Sequence, residues 1–137
     1  MQEYPNITIT TKDAARLETL LETLPADGFP GRKALEEELY RANVVAPEEV
    51  PPSVVTMNST VRFAMLPAGT ERRLKLVYPG KSDASEDSIS ILAPVGSALL
   101  GLAEGDDIHW PNPSGGTLHL VVHEVEDQPE RAGHYDL

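Results

Sequence analysis

Residues 90–101 decide the fold of this chain, and they read Ser90-Ile91-Leu92-Ala93-Pro94-Val95-Gly96-Ser97-Ala98-Leu99-Leu100-Gly101. The apolar residues at the start of this stretch predict a strand. Pro94 marks the end of that strand, because proline pre-sets the φ angle of a first helical residue, and glycine marks the end of a helix. One short helix is therefore predicted near Ala98 to Leu100, closed by Gly101. A Gly-Asp turn at residues 105–106 leads into the next strand. Residues 90–101 are therefore predicted to place a surface loop between a strand and a short helix.

Apolar residues with a period of two predict five strands from residue 54 onward. The strands are marked by Val61, Phe63 and Met65; by Leu74, Leu76 and Tyr78; by Ile89 and Ile91; by Ile108 and Trp110; and by Leu118, Leu120 and Val122. Turns are predicted at residues 67–69, 79–80 and 113–116. The pattern predicts a twisted, mostly antiparallel sheet, but it does not predict the order of the strands.

Two amphipathic helices precede the sheet. Thr11 is the predicted N-cap of the first helix, which runs from about Lys12 to Leu24 with Asp13 in its first turn. A second helix runs from about residue 32 to residue 43. Because a short turn joins the two helices, residues 1–46 are predicted to form a short antiparallel hairpin of the coiled-coil kind, whose facing leucines are packing residues.

Residues 47–53 form the predicted linker, since three prolines stiffen this stretch. The fold class is therefore α+β, with the helical hairpin at residues 1–46 and the sheet domain at residues 54–137. Prolines leave few backbone donors in the linker. We therefore expect a limited contact between the two parts and a hinge at residues 46–53.

The charge balance weighs against direct nucleic-acid binding. The chain has 137 residues, of which 22 are acidic and 11 are basic, for a net charge of −11. Tight binding to nucleic acid depends largely on neutralising phosphates with lysine and arginine. The chain has no cysteine, no signal-peptide pattern at its N-terminus and no apolar run long enough to span a bilayer. We expect a cytoplasmic protein that does not bind membranes and is a monomer.

The sequence predicts no catalytic residue, no cofactor and no metal site. Ser97 lacks the glycine two residues later that a nucleophile elbow needs, and no phosphate-binding glycine motif is present. His119 and His123 would lie about 13 Å apart between Cα atoms on one strand, at ~3.3 Å per residue, so one metal ion could not easily be held by both. His109 could approach one of them across the sheet. We nevertheless expect these histidines to lie on a solvated or partly covered face.

The strand–loop–helix unit, with Val54-Val55-Thr56-Met57-Asn58-Ser59-Thr60-Val61 upstream and Pro113-Ser114-Gly115-Gly116 downstream, resembles the C-terminal domain of the GreA/GreB transcription elongation factor family. The resemblance covers nearly the whole chain and is strongest to the family's small members. It implies an FKBP-like fold for residues 54–137 and RNA polymerase, at its secondary channel, as the partner. It also implies an influence on nucleoside diphosphate kinase levels, which no residue here shows.

The resemblance also implies a docking surface. The family's polymerase contacts correspond here to the loop that begins at Leu92, namely Ala93, Pro94, Val95 and Gly96. The Gre pattern has a serine before the proline, where this chain has Ala93; the substitution loses a hydroxyl but keeps the rigid turn. Acidic side chains nearby are predicted to face a basic element of the polymerase and to speed association; they are Asp83, Glu86 and Asp87.

Gre factors carry acidic residues on the tip of a long helical hairpin into the polymerase active centre, where those residues help to hold a catalytic metal ion. Here the turn offers Asp27 alone, and a first helix of ~20 Å is less than half as long as the Gre hairpins. Two interpretations stay open. The chain is a non-enzymatic regulator that docks on polymerase and competes with longer-armed factors, or it is an active Gre-like accessory factor that aids cleavage of backtracked RNA through Asp27 and neighbouring carboxylates.

A third interpretation, a prolyl isomerase, is suggested by the fold alone. Fold does not imply function, and an isomerase of this fold needs an aromatic-lined pocket. Aromatic residues make up only 5% of the chain. This interpretation is therefore the weakest of the three.

Overall fold

The computed structural model describes residues 7–24, 32–79, 87–111 and 115–133. The helices and strands follow one another along the chain in this order: β1 (Thr8–Thr10), α1 (Thr11–Thr23), α2 (Arg32–Arg41), β2 (Asn43–Val45), a 3-10 helix (Pro47–Glu49), β3 (Thr60–Leu66), β4 (Thr70–Val77), β5 (Ser88–Ser90), α3 (Pro94–Leu99), β6 (Asp107–Pro111) and β7 (Thr117–Asp127). The predicted mixture of helices and a multi-stranded sheet is confirmed. None of the helices among these residues is long and apolar enough to cross a membrane.

The main sheet has five strands in the order β5-β4-β3-β7-β6. All five strands correspond to those predicted from the period of two. Neighbours are antiparallel except β4 and β5, which run parallel. The register of the β3–β7 pairing shifts by one residue between Arg62 and Phe63. Arg62 lies opposite Glu124, whereas Phe63 lies opposite Val122. His123 is therefore the extra residue of a β-bulge.

Among the described residues, one hydrophobic cluster joins the sheet to the helices. The sheet contributes large buried side chains such as Phe63, Trp110 and Leu120, and α3 contributes Leu99. The same cluster includes five side chains that lie before the linker: Ile7, Ile9, Leu17, Leu21 and Leu35. The N-terminal part and the sheet therefore bury their apolar surfaces against each other.

Polar contacts also cross between the two parts. The Asp13 carboxylate accepts hydrogen bonds from the Met57 backbone N–H at 3.1 Å and from the Tyr78 hydroxyl at 3.2 Å. The Thr8 backbone N–H donates to the Gly101 carbonyl at 3.2 Å. The expectation of a limited contact is therefore wrong, whereas the hinge at residues 46–53 stays a prediction. The prolines remove donors from the linker, but side chains and backbone outside it bind the two parts together.

The ends of the helices differ slightly from those expected. The N-cap of α1 is Thr10 rather than Thr11, because the Thr10 side chain accepts from the Asp13 backbone N–H at 3.0 Å. The second helix ends at Arg41, and Asn43 instead begins β2, which pairs in parallel with β1. The strand before α3 ends at Ser90 and the helix itself starts at Pro94.

Arg32 stabilises the end of α1 from the start of α2. Its guanidinium donates to the carbonyls of Leu21 at 2.7 Å and Leu24 at 3.2 Å. A cation at a helix C-terminus satisfies the last carbonyls and opposes the negative end of the helix dipole. The two helices are thereby joined by hydrogen bonds as well as by their buried leucines.

Candidate functional site

The predicted docking loop lies between β5 and α3 and is held by short-range hydrogen bonds. The Ala93 backbone N–H donates to the Ser90 carbonyl at 3.0 Å, and the Ser97 hydroxyl donates to the Ile91 carbonyl at 2.6 Å. Ala93 is the extended N-cap of α3, and Pro94 occupies its first turn. Ala93, Pro94 and Val95 are each half-buried. Local hydrogen bonds therefore order the loop, and its side chains are partly open to solvent.

Gly96 plays a different part from the other three predicted docking residues. It is buried, and a Cβ atom added to it would lie 2.1 Å from the Ser90 carbonyl oxygen. Glycine thus allows the first turn of α3 to lie directly against the end of β5. Gly96 therefore allows the close packing of α3 on β5, while the half-buried side chains of residues 93–95 form the accessible part of the loop.

Only one of the predicted acidic neighbours can be placed. Asp87 is exposed just before β5, and its backbone carbonyl accepts from the Lys75 N–H at 2.7 Å. Asp83, Glu86 and the predicted hairpin-tip residue Asp27 lie outside the described residues. An acidic surface beside the loop therefore stays a prediction for residues 83 and 86.

Two buried carboxylates, which sequence reasoning did not single out, lie where α1 meets the sheet. Asp13 is only 1% exposed, and burial raises its pKa, helped by the charge of Glu130 and opposed by the Met57 N–H. Glu130 accepts from the Thr56 hydroxyl at 2.8 Å and lies 3.6 Å from the Lys12 ammonium.

Tyr78 completes this interface. Burial and the nearby charge of Asp13 both raise the pKa of the Tyr78 phenol, so it stays protonated and donates to Asp13. An aspartate in the first turn of a helix ordinarily indicates only a favourable dipole contact. No sequence signal distinguished Asp13 from that common case, because its partners lie 44 and 65 residues further along the chain.

A groove of about 290 Å³ lies between α1 and α2. Its walls combine the apolar side chains of Leu21 and Leu39 with charged and aromatic side chains, which are Glu18, Glu22, Glu36, Arg32 and Tyr40. Arg32 and Glu36 form an ion pair at 3.4 Å across one turn of α2. Tyr40 is 95% exposed at the edge of the groove.

The edge strand β6 and its neighbour β7 bring two histidines and an aspartate together. His109 on β6 lies directly opposite His119 on β7, and their rings stack with centroids 3.9 Å apart. His119 Nε2 lies 2.7 Å from Asp107 Oδ2. The candidate ligand atoms of these three residues all lie within 4.8 Å of one another. The sequence had suggested that His109 could approach a second histidine, but the register needed to choose His119 was not readable from it.

The loop, the five-stranded sheet and the two-helix N-terminal part together define a class of protein. Residues 50–127 match the family described as transcription elongation factor, GreA/GreB, C-term, and residues 5–45 match the family described as Rnk N-terminus. The chain belongs to the GreA/GreB transcription elongation factor family. The resemblance inferred from residues 90–101 and their neighbours is confirmed.

Individual relatives agree with this assignment. The chain is 50% identical over 131 residues to the Regulator of nucleoside diphosphate kinase of Escherichia coli (strain K12), a match that covers 96% of each chain. It is 30% identical over 128 residues to the transcription elongation factor GreA of Nitratidesulfovibrio vulgaris (strain DSM 19637 / Miyazaki F), covering 88% of this chain and 80% of that one.

Among solved structures, a prokaryotic transcription elongation factor GreA/GreB from Nitrosomonas europaea is similar with a TM-score of 0.69 and 61% identity. The match covers 88% of this chain and 97% of that one. The relatives are named as regulators and elongation factors rather than as enzymes, and the overall fold is of the GreA/GreB kind.

Proposed function

We propose that this chain is a non-enzymatic, cytoplasmic transcription regulator that binds RNA polymerase at its secondary channel and competes there with Gre factors. On this proposal, residues 54–137 form the docking domain, with the FKBP-like topology of the family, and α1 and α2 form a short antiparallel hairpin. Membership of the GreA/GreB family supports polymerase as the partner.

The observation that carries the proposal is the length of α1. The helix has 13 residues, Thr11–Thr23, which at ~1.5 Å per residue extends about 20 Å. A catalytic arm must run the depth of a channel to bring carboxylates to the active centre. A GreA/GreB-type domain joined to a short arm would occupy the docking position without supplying those carboxylates.

The geometry of the loop supports docking through Ala93, Pro94 and Val95. These residues are partly open to solvent, and hydrogen bonds to Ser90 and Ile91 already order the backbone around them. A surface ordered before binding loses little conformational entropy when it binds. Gly96 helps to position these three residues because it lets the first turn of α3 lie close to the end of β5.

The charge of the chain supports a protein partner with a basic surface. A net charge of −11 speeds association with a basic patch and opposes contact with nucleic acid. On this proposal the influence on nucleoside diphosphate kinase, which is named in the Escherichia coli relative, is an indirect result of altered transcription.

A competition experiment tests the proposal. The chain, fluorescently labelled at its N-terminus, is titrated with core RNA polymerase, and binding is followed by anisotropy with and without an unlabelled Gre factor. We expect saturable binding that the Gre factor displaces and that weakens as salt is raised. Absence of binding to core polymerase would refute docking, and binding unaffected by excess Gre factor would refute competition at a shared site.

The accessory-factor alternative is tested in the same system with a backtracked elongation complex. On our proposal the chain alone leaves the RNA intact. Cleavage stimulated by the chain alone would favour the alternative, in which hairpin carboxylates such as Asp27 act at the polymerase metal site.

A further inference from the structure

We propose that Asp107, His109 and His119 form a binding site for one first-row transition-metal dication, of the class represented by Zn²⁺. This site is independent of the proposed docking loop, and it departs from the expectation that the chain's histidines carry no metal. The proposal rests on the register of two strands, on the separations of the ligand atoms and on their chemistry.

Strand register brings the three side chains to one face of the sheet. Residues two apart on a strand point the same way, so Asp107 and His109 share a face of β6. His119 lies directly opposite His109 on β7, where the Cβ atoms of facing residues are about 4.5–5.5 Å apart. Ile108, Trp110 and Leu120 point to the other face and are buried. The three polar residues therefore lie on the solvent side of the sheet.

The separations suit a single ion with little rearrangement. Zinc lies about 2.0–2.2 Å from nitrogen and oxygen ligands, so tetrahedral ligand atoms are roughly 3.3–3.6 Å apart. Here the candidate atoms lie within 4.8 Å of one another, and His119 Nε2 is 2.7 Å from Asp107 Oδ2. Rotation about the side-chain bonds of the three residues would adjust the ligand atoms to tetrahedral distances. The ion would take the place of the hydrogen between His119 and Asp107, and that proton would move to His119 Nδ1 or to solvent.

The donor set selects the kind of ion. Two imidazoles and one carboxylate suit zinc, cobalt, nickel or copper dications, whereas magnesium and calcium prefer oxygen ligands. Three protein ligands leave at least one coordination position. The Asp107 side chain is 55% exposed and that of His119 is 29% exposed, so water can reach that position.

Occupation of the site would join two strands at the border of the sheet. The order of strands places β6 at one end, paired only with β7 among the described residues. An ion held by Asp107 and His109 on β6 and by His119 on β7 would cross-link the two strands. Because the folded chain presents this register and the unfolded chain does not, binding should raise the melting temperature.

Metal titration of the untagged, full-length chain tests the proposal. After treatment with EDTA and its removal, the chain is titrated with Zn²⁺ by calorimetry and with Co²⁺ by visible spectroscopy, in buffer that contains excess Mg²⁺. We expect one saturable site, nitrogen-ligand absorption bands from Co²⁺, and a higher melting temperature with Zn²⁺.

Four variants locate the site. His109→Ala and His119→Ala should each weaken Zn²⁺ binding at least ~10-fold, because outer-shell changes alone typically cost that much. Asp107→Asn keeps a hydrogen-bonding partner for His119 but is a poorer ligand, so it should also weaken binding. His123→Ala is the matched control, since His123 is an exposed histidine on β7 that lies outside the cluster. It should bind Zn²⁺ like the parent chain.

The main competing explanation is diffuse attraction of dications to a chain of net charge −11. Equal Zn²⁺ affinity in the parent, His109→Ala and His119→Ala chains would overturn the proposal, as would displacement by Mg²⁺ or the absence of saturable binding. Loss of binding in His123→Ala would place the site elsewhere and would also overturn it. Circular dichroism of each variant confirms that a loss of binding is not a loss of fold.

Discussion

Replacement of Asp13 tests how the N-terminal part is held to the sheet. The Asp13 carboxylate accepts hydrogen bonds from the Met57 N–H and the Tyr78 hydroxyl, and it is only 1% exposed. Asp13→Ala leaves both donors without this acceptor. Asp13→Asn removes the charge but keeps one oxygen, which can accept from Met57, while its amide can donate to the Tyr78 oxygen. We therefore expect very different effects from two substitutions that both remove the carboxylate.

The size of each effect follows from the burial of the partners. A buried donor that loses its acceptor costs about 1–3 kcal/mol. Met57 is 1% exposed, so its N–H incurs that full cost, whereas Tyr78 is half-buried and its hydroxyl can partly recover a partner from water. We expect Asp13→Ala to lower the free energy of unfolding by about 2–4 kcal/mol. Asp13→Asn should lower it by less than about 1 kcal/mol near neutral pH.

The pH dependence of the free energy of unfolding shows the effect of the Asp13 charge separately. The folded-state pKa of Asp13 is raised above 3.8, chiefly by burial, so folding favours the protonated carboxyl group. The stabilising contribution of protonated Asp13 is fully present below pH 3.8 and is lost as pH rises through the raised pKa. The parent chain should therefore lose stability relative to Asp13→Asn as pH rises through that range.

Urea unfolding followed by circular dichroism measures these differences at several pH values. The exposed substitution Asp127→Asn is the matched control and should change the free energy of unfolding by less than ~0.5 kcal/mol. The reasoning is refuted if Asp13→Ala is as stable as the parent chain. It is also refuted if Asp13→Asn is as damaging as Asp13→Ala, because the charge itself would then be required.

Three further predictions concern the loop and the proposed function. Gly96→Ala should lower the free energy of unfolding by about 1–3 kcal/mol, because its Cβ would lie 2.1 Å from the Ser90 carbonyl oxygen; thermal and urea unfolding measure the loss. Pro94→Ala combined with Val95→Glu should weaken binding to polymerase in the anisotropy assay while the fold is kept, since it changes a half-buried loop and adds a like charge to an acidic chain. The chain should also reduce Gre-stimulated cleavage of backtracked RNA, excess Gre factor should restore the cleavage, and Asp27→Asn should change neither effect.

Each of these predictions has an outcome that contradicts it. A Gly96→Ala chain as stable as its parent would mean that α3 can move away from β5 without cost. Unchanged affinity in a well-folded Pro94→Ala, Val95→Glu chain would place the docking surface elsewhere. Cleavage stimulated by the parent chain and lost in Asp27→Asn would favour an active accessory factor. An unaffected Gre reaction at saturating protein would remove competition.

Sequence periodicity predicted the parts of the fold that bury one face over several residues. The strands marked by Phe63, Leu76 and Leu120 were found because alternation repeats often enough to be recognised. β1 and β2 were missed, although Ile7 and Ile9 alternate with threonine much as Ile89 and Ile91 alternate with serine at β5. Strands of three residues are therefore recognised only inconsistently from periodicity. The N-cap was misplaced by one residue because Thr10 and Thr11 are both suitable caps, and only the hydrogen bond to Asp13 distinguishes them.

The candidate sites were predictable to different degrees, because one is formed by neighbouring residues and the other depends on strand pairing. The loop at residues 93–96 is local, so proline and glycine in the sequence were enough to indicate a rigid turn before a helix. The pairing of His109 with His119 is not local, because it depends on which residues of β6 and β7 face each other. Spacing along one strand led to His119 and His123 being considered together, yet His123 is the extra residue of a bulge.

Gly101 combines a local feature, the end of α3, with contacts to residues that are distant in sequence. Its φ angle of +82° suits glycine and follows the end of α3, as the sequence predicted. The same residue donates its N–H to the Val55 carbonyl and accepts from Thr8 through its own carbonyl. A Cβ at this position would lie 2.6 Å from the Cβ of Ile7. Glycine is therefore favoured here for two reasons: the backbone conformation and the close approach of Ile7, just before β1. The helix that follows the proposed docking loop therefore ends where the N-terminal part contacts the sheet domain.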